Sequence, residues 1–592
     1  MVISDSVPAQ TPEPQSTGGE PSITPAPRPR WLIPAAAAVL VLAAAIGVVV
    51  GLTLTNQRAG AGAAGAASYV PAEASVYYEI RFDPSVQQRA NLRAFLGHFS
   101  KLDPDKYLTD ELDQQLDSMS PQASGAYRYS TDVKPWFDGT VAVALIGYPS
   151  MVPQTPSATV PRIPEALVFA GVNNASAANS LNDRIRADAA NKGATVSATA
   201  HGSATIWSVE IPVSSVGSPP TFAWTITGNE VMAGTSVDLV GRALDVHAGA
   251  PSLENRQEFR DGLARLPADR VGLFSVDTAP IVAQITKDVA AVNPSLTPLV
   301  QGLNATPQGF VVEAARFEAD RFVIDATASM SAALPPNLDP GLLALVPGDA
   351  LFYTEAFDAG TGLANVVNVM KATITAGGGS SSAQVDQLEQ VLGGDLGSFV
   401  SWMGDTALVA GETSGAPYAG LIITPKDSAQ ARTKLLQIQG LIQLSQASGG
   451  PKVTVSEAEH HGSTITTIHV DAGATTPSWA TTYQYTVSDS RVVIGVGDTF
   501  VARVLDTGLG TSLGQDSRFY AALQSVGGTP NRGTFWLDLA GLRAALEPLL
   551  PAEAKATYQS EVQPWVAPFD YAIGAVRSDG QRSETHFALV VK

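Results

Sequence analysis

The most chemically dense stretch of the chain is SEAEHHGSTITTIHV, residues 456–470, which gathers Glu457, Glu459, His460, His461 and His469. Carboxylates and imidazoles are ligands that zinc and nickel accept. Side chains alternate between the faces of a strand, so Glu457, Glu459 and His461 would share one face. A turn at His461-Gly462-Ser463 would then bring His469 back toward them. Against a metal site stands the matching stretch at His201, where Ala198 and Ala200 replace the two glutamates. The stretch therefore reads as a solvated hairpin turn. Glu457, Glu459, His461 and His469 are the metal candidates, but no metal or cofactor is expected.

A second set consists of acids that recur along the chain: Glu79 with Glu355, Asp245 with Asp506, and Asp277 with Asp538. An acidic pair does general acid–base work when a cleft drives its two pKa values apart. Here Arg242-x-x-Asp245 and Arg503-x-x-Asp506 read instead as intrahelical ion pairs or caps. No catalytic residue is assigned, and the chain is not expected to be an enzyme. Trp136 and Trp402 read as core or strand-end anchors. Gly60, Gly62 and Gly65 fit GxGxxG, but a dinucleotide fingerprint needs a strand before it and a helix after it. P-loop, HExxH, GxSxG and EF-hand patterns do not occur. With no cysteine in 592 residues, disulfides, thiol catalysis and Cys-ligated metals are excluded together. The net charge of −19 repels phosphate backbones and argues against nucleic acid as a partner.

The elements that must position these residues begin after a tail. Residues 1–30 contain seven prolines and no aromatic residue, a composition that cannot bury a core. Residues 31–55, WLIPAAAAVLVLAAAIGVVVGLTLT, carry no charge, and about 20 apolar residues suffice to cross a bilayer. Trp31 stands where an interfacial indole is expected. The segment reads as one transmembrane helix with a cytoplasmic N-terminus, which places the bulk of the chain outside the plasma membrane. The small residues at 59–66 leave a cleaved signal peptide as the rival reading. Ala43, Gly47 and Gly51 form a small-xxx-small ladder, a face for homodimerisation that any Ala-rich span also produces. An Ala/Gly linker, 56–68, follows.

Beyond the linker the chain repeats itself. YVPAEASVYYEI at 69–80 and LVPGDALFYTEA at 345–356 match at an offset of 276. Trp136 and Thr140 meet Trp402 and Thr406 at 266, and HGS at 201–203 meets HGS at 461–463 at 260. Gly234, Arg242, Asp245, Phe274 and Asp277 then find Gly495, Arg503, Asp506, Phe535 and Asp538 at 261. One series in constant order reads as an internal duplication, with repeats at 69–335 and 340–592. The offset falls where copy one carries YPSMVPQTPSATVPRIP, a Pro-rich stretch of the kind tolerated in a surface loop.

Each copy predicts the same elements. A Pro-led turn feeds a strand, helical and strand segments alternate, and an alternating pair of runs closes the copy as a hairpin. The expected fold is α+β: two tandem homologous repeats, each a largely antiparallel sheet with helices packed on one covered face, after one transmembrane helix.

The V-P-A-E-A…Y strand just after a membrane span, with the Trp-containing segment that follows, resembles a bacterial family, the domain of unknown function numbered 3352. The resemblance implies no activity and no site residues. The expected role is a membrane-anchored binding or scaffolding module of the cell envelope with a protein partner. The alternative is a carrier of a lipid or other apolar ligand, and a hydrolase with an unrecognised site ranks below both.

Overall fold

The structure is a computed structural model that describes residues 65–592 apart from 109–111, 120–126, 149–163, 211–220, 293–307, 378–386, 388, 391, 414, 448, 472–477 and 509. The tail, the span 31–55 and its Ala43, Gly47 and Gly51 face lie outside the described residues. Among the described residues no helix is long and apolar enough to cross a membrane. The linker ends earlier than expected. Gly65–Ser68 forms a 3-10 turn whose Ala66 and Ala67 are fully buried, so these residues belong to the folded body.

The first half contributes β1 (Ala74–Arg81), β2 (Phe137–Ile146), β3 (Glu165–Val172), β4 (Val196–His201) and β5 (Ala204–Glu210). It continues with β6 (Thr221–Thr227), β7 (Glu230–Gly234), β8 (Gly272–Asp277), β9 (Gly309–Glu318) and β10 (Arg321–Met330). The second half repeats the series as β11 (Ala350–Ala356), β12 (Met403–Thr413), β13 (Ala416–Pro425), β14 (Val453–His460) and β15 (Ser463–Val470). It closes with β16 (Thr482–Val487), β17 (Val492–Val496), β18 (Gly533–Asp538), β19 (Phe569–Asp579) and β20 (Arg582–Val591). All described pairings are antiparallel.

From one edge the first half runs β4-β5-β6-β7-β3-β2-β1-β8-β9-β10. The second half takes the same order, β14-β15-β16-β17-β13-β12-β11-β18-β19-β20. The two halves do not form separate sheets. β10 pairs with β20 over nine residue pairs, which makes one 20-stranded sheet with β4 and β14 at its edges. In that ladder Asp325 faces His586, and these two positions are themselves 261 apart. Every other pair in the ladder has its counterpart on the opposite side of this one, so the Asp325–His586 pair marks a pseudo-two-fold axis.

The repeated Val-Pro opening has a structural cause. Proline cannot donate to a ladder, and the preceding carbonyl is used instead. Val70 O accepts from Leu253 N–H and Val346 O from Leu513 N–H, while Pro71 and Pro347 bridge Ser252 and Ser512.

Helices cover both faces of the sheet, not one. On the face of Tyr77 and Tyr353, α1 (Val237–His247) and α2 (Gln257–Leu263) cover the first half, and α3 (Phe500–Asp506) and α4 (Ser517–Ser525) the second. Ser236 caps α1 by accepting from Leu239 N–H, and Leu239, Val240, Ala243 and Val246 form its buried stripe. Such a cap is worth about 1 kcal/mol. On the opposite face Ile80, Val141 and Val172 pack with Leu181 of helix 175–191, and Ile423 and Val492 with Leu435 of helix 428–447. Phe500 docks α3 by lying on the paired Gly420 and Gly495. A Cβ there would come within 2.3 and 2.6 Å of its ring, so only glycine fits.

Candidate functional site

The pseudo-two-fold axis passes through a cleft of about 470 Å3 between the ends of α2 and α4. Its floor is β9, β10 and β20, and its working groups are Arg265, Arg316, Arg321, Asp325, Glu584 and His586. His586 Nδ1 lies 2.7 Å from Asp325 Oδ1, and Arg316 Nε donates to Asp325 Oδ2 at 3.1 Å. Arg265 Nη1 reaches across the junction to Glu584 Oε1 at 3.0 Å. Burial opposes the charge on Asp325, but His586 and Arg316 outweigh it and hold the carboxyl below its usual range. The hydrogen bond to Asp325 in turn raises His586 above its ordinary value, against the effect of burial. The cleft thus presents guanidinium donors, carboxylate acceptors and an imidazolium beside apolar walls that include Leu266, Val323 and Val526. Guanidinium groups recognise carboxylates and phosphates through paired N–H donors.

A second polar group lies inside the first half. Tyr77 OH donates to Glu79 Oε2 at 2.6 Å, and Arg81 Nη2 to Glu79 Oε1 at 3.0 Å. Glu230 is 5% exposed, and among the described residues its Oε2 has no hydrogen-bond partner. Burial first, then the neighbouring Asp138 and Glu79, push its carboxyl up to about 8. Arg270, 2% exposed, is lowered by burial. The second half keeps only part of this arrangement. Tyr353 OH donates to Glu355 Oε2, but Phe357 stands where Arg81 would be and Asn531 where Arg270 would be. Among the described residues Glu355 Oε1 has no side-chain partner, and burial raises that carboxyl.

This difference predicts unequal responses to the same mutation. Tyr353→Phe is expected to cost about 1.5–3 kcal/mol, the range for a hydrogen bond to a charged group. Tyr77→Phe should cost less, because Arg81 still holds Glu79. Urea unfolding of the two variants checks the order; equal losses would show that Arg81 does not compensate.

The expected metal set does not assemble. β14 ends at His460, so His461 lies in the turn with φ 49° rather than on the face of Glu457 and Glu459. Glu457 is exposed, Glu459 accepts from the Thr464 hydroxyl at 2.6 Å, and His469 lies by Thr482 on the β15–β16 pairing. His460, His461 and Asp506 come together instead.

The intrahelical ion pairs are also replaced. Arg242 bonds Glu73 and Glu165, and Arg503 bonds Asp349. This leaves Asp245 to His201 and Asp506 to His460 and His461. The i,i+3 spacing allowed the pairing, but partners beyond the helix offered better geometry. Asp277 bonds Arg256 and Asp538 bonds Arg518, while Asp538 also caps the helix 539–546 through Gly541 N–H. Trp136 and Trp402 are buried in the cores of the second face. Gly65 opens the 3-10 turn, and Gly60 and Gly62 lie outside the described residues.

Sequence reasoning missed Asp325, His586, Glu230, Asp138 and Arg270. For Asp325 a signal existed: in RFVIDATASM it shares the core-facing register of Val323 and Thr327. An ionisable group at such a position requires a partner.

No curated protein matches the chain. A solved structure titled "Structure of crystal form I of TP0453" aligns with 45% of this chain and 79% of that one. Identity is 10% and the TM-score 0.21, too low to carry an argument. Residues 35–587 match the family described as Protein of unknown function (DUF3352), and the chain belongs to that family.

Proposed function

We propose that the chain is a single-pass, extracytoplasmic binding module of the bacterial cell envelope, and that the cleft at the junction of its halves is the ligand site. The observation that carries this reading is the charged cleft on the pseudo-two-fold axis of a continuous sheet. Matching strand order in both halves supports a tandem duplication. The duplication turned what would be a subunit interface into an internal cleft whose two sides could diverge. The uncharged residues 31–55 support the anchor. The cleft's guanidinium and carboxylate groups suit a partner segment carrying charges of both signs. Carriage of an apolar ligand has weaker support there, because charged side chains interrupt the apolar part of the walls. Hydrolysis also has weaker support, because among the described residues no hydroxyl bonds His586 to complete a nucleophilic relay.

The test is photo-crosslinking in cells. A benzophenone amino acid in place of Ser525, exposed at the cleft rim, should give one discrete adduct in the washed membrane fraction. The same probe at Asn179 on helix 175–191 should give none. Arg265→Ala should abolish the adduct. An adduct insensitive to Arg265→Ala, or none at all, would remove the cleft as the binding site.

A further inference from the structure

We infer that the β14–β15 turn and the end of α3 form a site for one divalent transition-metal ion of the zinc or nickel class, held by His460, His461 and Asp506. His460 Nε2 lies 2.7 Å and His461 Nε2 3.1 Å from Asp506 Oδ1. One ligand atom from each residue lies within 4.8 Å of the others. A tetrahedral ion with bonds of about 2.0–2.2 Å separates its donors by roughly 3.3–3.6 Å. The two His–Asp separations therefore have to open by about 0.2–0.9 Å, and the two imidazole donors start no more than 4.8 Å apart. Two imidazoles and one carboxylate are a borderline donor set suited to zinc or nickel. The side chains are 31%, 52% and 47% exposed, which leaves room for water at the remaining positions. On binding, each ring offers its Nε2 lone pair and carries its proton on Nδ1.

Two further observations separate this cluster from an ordinary hydrogen-bonded turn. The first is the backbone. His461 and Gly462 have φ of 49° and 76°, both left-handed as a type I′ hairpin turn requires. That turn favours Asn-Gly, Asp-Gly or Gly-Gly, and histidine is among the few other residues enriched in left-handed backbone. The turn admits His461 and carries its ring to Asp506, where a glycine would supply no ligand.

The second is the first half, which supplies an internal control. There His201 faces Asp245 at 2.8 Å, and the residue that follows is Gly202 at φ 59°, with no second imidazole. His201 also lies close over Gly241, whose Cβ would stand 3.2 Å from the ring, and alanine occupies the corresponding position, 502. The same scaffold thus holds a lone His–Asp pair on one edge and a three-ligand set on the other. Asp506 is placed by Phe500 locking α3 onto the glycine pair of β13 and β17.

The experiment titrates zinc chloride, and separately nickel chloride, into the untagged full-length chain in detergent, read by calorimetry. Cobalt substitution adds a visible absorption signature of the ligand geometry. The expected result is one ion per chain, weakened at least about tenfold by His461→Asn and by Asp506→Asn. His461→Asn keeps a residue that accepts the left-handed turn, so loss of metal is separable from loss of fold, which circular dichroism checks. His201→Ala, Glu457→Gln and His469→Ala should leave binding unchanged. Absence of stoichiometric binding, or binding that survives His461→Asn and Asp506→Asn at full strength, overturns the site.

Discussion

Glu230→Gln is expected to stabilise the chain at pH 8.5 and to leave its stability nearly unchanged at pH 4.5. The Glu230 carboxyl has a pKa of about 8 in the fold against an ordinary 4.5. Between these values the folded chain holds a proton that the unfolded chain has released, so stability falls as pH rises. The slope from one such group is about 1.4 kcal/mol per pH unit within the window. Glutamine imitates the protonated acid and removes that contribution. The difference between variant and parent should therefore open above pH 5, widen to pH 8 and level off beyond. Urea unfolding at five pH values measures it. Parallel curves would mean that Glu230 is ionised and paired in the folded chain.

The groups around Glu230 make ionisation costly. Asp138 and Glu79 face it with the same sign, and Tyr69, itself raised by burial and by Glu230, lies on its other side. Arg81 is engaged with Glu79. The carboxyl also lies near the point where the folded body meets the linker, since a Cβ on Gly65 would stand 3.9 Å from Glu230 Oε1.

Much of the fold was legible because its signals are local. Alternation in GFVVEAARFE and RFVIDATASM gave β9 and β10, and the Asp-Gly in RSDGQR gave the turn before β20. The duplicated order was equally plain. Register was harder. β2 bulges between Phe137 and Val141, one residue more than β12 between Met403 and Thr406, so Thr406 corresponds to Val141 rather than Thr140. At the hairpins, His201 pairs with Ala204 and His460 with Ser463, so the ladder matches His201 to His460 although the letters HGS match it to His461. Identical letters were one residue away from structural equivalence, and the expected ligand set failed separately because the strand ends at His460, one residue before the alternation was expected to place His461.

The site was less legible because it depends on contacts between distant segments. Asp325 and His586 are 261 residues apart, and nothing within either strand names the other as partner. The Glu230 group is absent from the second half, so a search for repeated acids passes over it. Comparing the copies favours what both need for folding, such as the Tyr–Glu pairs. It is blind to what only one half contains.

Exchanging the two residues on the axis tests whether that junction holds the halves together. The His586→Asp variant places two carboxylates opposite each other, and roughly 1.5–3 kcal/mol is expected to be lost at pH 7, the range for a hydrogen bond to a charged group, because Arg316 still holds Asp325. The cost rests mainly on Asp325, whose side chain is 8% exposed, whereas His586 is 37% exposed and better screened. The deficit should shrink as pH falls, because two facing carboxyls are relieved when they share a proton. Asp325→His alone sets two imidazoles face to face beside Arg316, and its deficit should deepen as pH falls and both rings charge. Making both changes restores one acid and one base. Arg577 lies 261 positions after Arg316 and donates to Gly527 O at 3.1 Å, and a Cβ on Gly527 would stand 3.3 Å from the Arg577 side chain and 3.7 Å from the His586 ring. An aspartate at 586 would therefore find a guanidinium near it, as Asp325 does now. The double exchange should recover more than half of the summed losses when unfolding is followed by urea titration at pH 7. Recovery near zero would show that the two residues do not couple, and that the nine backbone pairs of β10 and β20 join the halves without them.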